Sequence, residues 1–63
     1  MVEAIKYKIR ARLIHQIEQK KLSEVQAMEA CGVLLAELCM MGYDGKLFYE
    51  CLTQVIDKEY REK

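Results

Sequence analysis

The chain has no proline, no tryptophan, three glycines, one serine and one histidine in 63 residues. Without proline and with glycine only at 32, 42 and 45, nothing marks a flexible linker, so residues 1–63 read as one domain. Long apolar runs are also missing. The longest, Ala30 to Met41, is interrupted by Glu37 and falls short of the ~18 residues of a membrane-spanning helix. Net charge is absent as well: ten basic side chains balance ten acidic ones, which leaves no overall field to draw in nucleic acid or an anionic membrane. Cysteine occurs at 31, 39 and 51, an odd number with no CxxC pair. The opening residues MVEAIKYKIR lack the apolar stretch of a secretory signal. Free thiols in a reducing, cytoplasmic setting are therefore expected.

These absences bear on stability. Ordering the chain costs about 95 kcal/mol at ~1.5 kcal/mol per residue, set against about 25 cal/mol per Å² of apolar burial. Small domains supplement a modest core with disulfides, metals or association with another chain. With disulfides and metals unsupported, association is the expectation.

What the chain does have is apolar residues at helical spacing. Val2, Ile5, Ile9, Leu13 and Ile17 recur every three or four positions, with Ile14 beside them, and predict a first helix over about 3–20. Ser23-Glu24-Val25-Gln26 fits a capping box and opens a second helix over about 24–41, with Gly42 as a left-handed stop. Gly32 lies inside it and marks either a close helix approach or a break. Asp44 is the expected N-cap of a third helix over about 45–61, and the short link Gly42 to Gly45 makes helices two and three an antiparallel hairpin. The fold class is an all-α, three-helix domain.

The second helix carries too much apolar surface for two neighbours. Gln26, Glu29 and Glu37 occupy an arc of roughly 80°, and Val25, Met28, Cys31, Leu34, Leu35, Leu38, Cys39 and Met41 occupy most of the rest. The third helix has an apolar arc of about 220°, against the ~100° stripe of a surface helix. Surplus of this kind marks an interface. Val33 and Met40 lie within the acidic arc and stay exposed once the monomer packs. With Met41, Tyr49 and Tyr60 they form the expected contact set, since tyrosine and methionine are enriched at interfaces and methionine adapts its shape. The partner is a second copy of the chain, another protein, or both.

Charge is distributed unevenly. Residues 1–21 hold six basic and two acidic groups, net +4, whereas residues 22–63 hold four basic and eight acidic, net −4. The basic first helix is expected to pair with acidic helices of the same assembly. Lys6 and Arg10 fall on one flank of its stripe and Lys8 and Arg12 on the other. They are the residues available to an anion if the chain is instead a small DNA- or RNA-binding regulator. For that alternative, Leu22-Ser23, Met28 at a small-residue position and Gly32-Val33 together resemble part of a helix-turn-helix segment. The residues that follow, Leu34 to Met41, contain no arginine, lysine, asparagine or glutamine to reach base edges.

Chemistry is sparse. Cys31 and Cys39 would stand about 12 Å apart along a helix, too far to share one zinc ion at Zn–S distances of ~2.3 Å. Ser23 is used as a cap, His15 has no acidic partner, and no glycine loop could cradle a phosphate. No enzyme, metal or cofactor is expected, and the three cysteines read as buried small hydrophobes. The chain reads as a protein–protein interaction or regulatory module, such as an adaptor, an inhibitor or an antirepressor-like modulator of a transcription regulator.

Overall fold

The computed structural model describes residues 2–62, with side chains from Glu3 onward, so the place of Val2 in the first stripe lies outside the described residues. It contains three α-helices and, among the described residues, no strand: α1 Val2–Lys20, α2 Glu24–Met40 and α3 Lys46–Tyr60. The boundaries differ from the sequence expectation by a residue at most. No described helix is long and apolar enough to cross a membrane.

Each helix end has a local cause. The Ser23 hydroxyl accepts from the Gln26 amide at 3.3 Å, and the Gln26 side chain accepts from the Ser23 amide at 3.0 Å, so the capping box is complete. At the far end of α2, Gly42 has φ +94. The Tyr43 amide reaches back to the Leu38 carbonyl and the Gly42 amide to that of Cys39. That pair of bonds is a Schellman closure, which satisfies carbonyls the helix leaves orphaned. Between α1 and α2 the Leu22 amide makes the equivalent bond to Ile17, with Lys21 at φ 50 in the left-handed position. The first residue of α3 is Lys46, so Gly45 and not Asp44 is its N-cap residue. Asp44 still acts at this end, because its Oδ1 accepts the Lys46 amide at 3.0 Å. Gly32 does not break α2, which runs through it without interruption.

The core is wholly apolar among the described residues. Leu13 and Ile17 of α1, Ala27, Cys31 and Leu34 of α2, and Leu52, Val55 and Ile56 of α3 form one cluster. Leu38 and Phe48 are buried near the α2–α3 link, where Tyr43 meets Phe48 edge-on at 5.9 Å. Two ties hold the other end. The Tyr60 hydroxyl donates to the Leu22 carbonyl at 2.7 Å, and Arg61 Nε lies 2.9 Å from Glu24 Oε1.

The cysteines do not share one environment. Only Cys31 is buried; Cys51 is half-buried and Cys39 exposed, which corrects the expectation of three buried thiols. The reason is helical phase. Cys31 faces the core, whereas Cys39 lies about 80° round the helix from it, near Gly45. Burial pushes the Cys31 thiol pKa up, helped by Cys51.

Candidate protein-interaction surface

The buried residues of α2 are Ala27, Cys31, Leu34 and Leu38, spaced by four, three and four. They form one stripe about 60° wide, so α1 and α3 together cover a single face of this helix. The remaining apolar residues are left outside. Val25 is 64 % exposed, Met28 51 %, Val33 60 %, Met40 88 % and Met41 70 %. The chain exposes 4675 Å² in all, against about 4,200 Å² expected for a compact monomer of its mass.

Four of the five residues expected at an interface, Val33, Met40, Met41 and Tyr49, are exposed. Met40 and Met41 share a shallow crevice of about 340 Å³ with Ile9, Arg12, Glu37 and Leu38. Tyr60 is placed differently. Its ring packs against the core and its hydroxyl is bonded to Leu22, so it serves the monomer's own fold. Burial, followed by the nearby Glu59 and Glu24 carboxylates, holds the Tyr60 pKa above the usual phenol value.

The apolar arc read from sequence includes Val25 and Met28, and the structure exposes both. The signal that separates them is finer than total apolar content. At 100° per residue, Val25, Met28, Gly32, Ala36 and Cys39 fall within about 40° of Gly32, on a strip of their own. The buried stripe centres about 130° away. The helix therefore has two apolar strips, and the monomer uses one.

The basic residues do not converge. Arg12 Nη1 lies 3.1 Å from Glu37 Oε2 across the α1–α2 boundary, an ion pair whose alignment is too poor for a hydrogen bond. This pair joins the basic first helix to an acidic neighbour, and with both side chains about half exposed it contributes at most ~1 kcal/mol. Lys6 and Arg10 lie on the other flank, beside Cys51 of α3 in a crevice with Glu3 and Tyr7. Lys6 Nζ is 3.7 Å from Glu3 Oε1. Burial raises the Cys51 pKa, and the Arg10 and Lys6 cations oppose that rise. Lys8 is exposed. Lys6, Lys8, Arg10 and Arg12 thus face different neighbours and make no continuous basic ridge for a phosphate backbone.

Among the described residues no group of three or more metal-ligating side chains comes together. Comparison with protein-family models, with curated proteins and with solved structures finds no match to this chain.

Proposed function

We propose that this chain is a non-enzymatic protein–protein interaction module that regulates by binding. An adaptor, an inhibitor or an antirepressor-like modulator of a transcription regulator would each act this way. One observation carries the reading: α2 buries a single stripe and leaves Val25, Met28, Val33, Met40 and Met41 half or more exposed. Water-exposed apolar side chains concentrated on one helix of so small a chain gain free energy when another surface covers them. The methionines add adaptability at the α2 C-terminus, where their crevice supplies an apolar floor with Arg12 and Glu37 at its edge. We read α2 and α3 as an antiparallel hairpin, on the strength of the Arg61–Glu24 contact at one end and the short link from Met41 to Gly45 at the other. A reducing, cytoplasmic setting suits three free thiols.

The test is capture from the native host with the tagged chain and with a Met40→Lys, Met41→Lys double variant. Both positions are exposed, so the variant should keep its helical circular dichroism. The reading expects a defined partner whose recovery drops at least tenfold with the variant. Equal recovery would remove the methionine crevice from the reading. A chain with neither a protein partner nor self-association would overturn the reading altogether.

A further inference from the structure

The outer strip of α2 has a symmetry that its composition alone does not reveal. Counted from Gly32, Met28 and Ala36 stand four residues away on either side, and Val25 and Cys39 seven. A strip with this spacing is its own complement when two copies run antiparallel about a two-fold axis at Gly32. Met28 then faces Ala36 of the other copy, Val25 faces Cys39, and the two glycines meet at the axis. Each large side chain opposes a small one, and the crossing point has no side chain at all. A Cβ added at Gly32 would meet nothing within 4 Å in the monomer, so the space above it is open.

We propose that the occupant of this strip is a second copy of the chain, paired antiparallel through α2 about Gly32. The proposal rests on the interaction reading above and names its partner. Three observations favour the same chain over an unrelated one. First, a two-fold interface requires that residue i contact j while j contacts i, and with Gly32 on the axis both reciprocal pairs, Met28 with Ala36 and Val25 with Cys39, set a larger side chain against a smaller one. Second, no Lys, Arg, Asp or Glu lies on the strip, so self-pairing brings no like charges together there. Third, the size fits. The molecule measures 32 × 18 × 18 Å, so its long face has a flat footprint of about 580 Å². That is close to the ~600 Å² per partner at the low end of stable interfaces.

The pairing extends beyond α2. Glu24 pairs with Arg61, and Cys39 lies next to Gly45, so position 32 of α2 stands level with about position 53 of α3. Around Thr53, Tyr49 and Asp57 repeat the interval of four. The two-fold axis that joins the α2 helices therefore sets the exposed Tyr49 level with Asp57 of the other copy, and four helices meet along one seam.

Mass by sedimentation equilibrium or light scattering tests this, with wild type and Gly32→Lys compared over a range of concentrations. Gly32→Lys enters open space and replaces a poor helix former with a good one, so the monomer fold is retained. Wild type should show twice the 7.4 kDa chain mass and Gly32→Lys the single mass with undiminished helicity. Orientation is tested by oxidation with oxidised glutathione. Val25→Cys should link to the native Cys39 of the other copy, while wild type should form no Cys39–Cys39 link, because antiparallel pairing holds those sulfurs about 21 Å apart along the axis. A wild type of single mass throughout overturns the proposal and gives the strip to another occupant; the interaction reading is then decided by the methionine variants. A Gly32→Lys variant that still pairs, or a wild type that cross-links through Cys39, overturns the antiparallel contact at Gly32.

Discussion

The two links of this fold close with the same hydrogen bond around different residues, and that difference is measurable. Leu22 bonds back to Ile17 at 3.3 Å around Lys21 at φ 50; Tyr43 bonds back to Leu38 at 3.0 Å around Gly42 at φ 94. A left-handed backbone costs an L-residue about 1–2 kcal/mol and glycine almost nothing. Replacing Lys21 with glycine removes that strain. Against this, glycine loosens the unfolded chain by about 0.4–1 kcal/mol, and loss of a cation at the end of α1 gives up about 0.3 kcal/mol. Lys21 is exposed, with no ion pair among the described residues, so no other contact is lost. The balance is a stabilisation of about 0.5 kcal/mol for Lys21→Gly. Gly42→Ala runs the other way. A side chain at φ 94 is strained whatever the space around it, and the expected destabilisation is about 1 kcal/mol. With an unfolding entropy of roughly 2.1 cal/mol/K per residue, these become about +4 °C and −8 °C in Tm. Thermal unfolding followed by circular dichroism at fixed chain concentration measures both. The sites lie at opposite ends of α2, ~25 Å apart, so the double variant should sum the two shifts. If Lys21→Gly lowers Tm while Gly42→Ala leaves it unchanged, left-handed strain does not govern these links.

Two further outcomes follow from the packing. Tyr60→Phe should lower stability by about 1 kcal/mol at neutral pH, because it leaves the Leu22 carbonyl without its internal donor. The Tyr60 pKa is raised in the fold, so the folded state holds the phenol proton more tightly than the unfolded chain; stability from this group is intact below pH 10 and falls as pH rises through the folded value. Denaturant titrations should accordingly show a smaller alkaline loss in Tyr60→Phe than in wild type, and equal slopes would exclude the assignment. Leu52→Ala removes a fully buried side chain from the common core and should cost 2–5 kcal/mol, on the order of the whole stability of so small a domain. A fully cooperative Leu52→Ala transition with an unchanged midpoint would show that the core described above is not the one that holds the fold.

Much of the fold was legible because local rules and the three-helix arrangement agree. Ser23 and Gln26 form their box from residues three apart in sequence, and Gly42 reads as a stop whatever packs around it. Lys21 was legible as a helix end but not as a left-handed residue. Nothing in a lysine signals positive φ, and the conformation is imposed by the short connection into Ser23. The part Tyr60 plays inside the fold is not legible in sequence for a related reason. Its partner is a carbonyl 38 residues away, and only tertiary packing brings the two together.

The surplus apolar surface shows where the limit of sequence reading lies. Counting apolar residues on α2 identifies how much surface is in excess, and the exposure of Val33 and Met40 follows from their place among Glu29 and Glu37. Counting does not say which apolar residues the monomer keeps, because that depends on the angle at which α1 and α3 approach. Their approach selects Ala27, Cys31, Leu34 and Leu38. Once that stripe is fixed, the strip centred on Gly32 is what remains. Its glycine also acquires a physical explanation. In the monomer, Gly32 weakens α2 by about 1 kcal/mol relative to alanine, although a Cβ there would meet nothing within 4 Å. A helix that gives up that stability where a side chain would fit makes sense when another backbone approaches there. Gly32→Ala therefore separates two demands on one position: helix propensity alone would make the variant more stable than wild type at every concentration, whereas pairing at Gly32 would make it the less stable of the two at chain concentrations where wild type is dimeric.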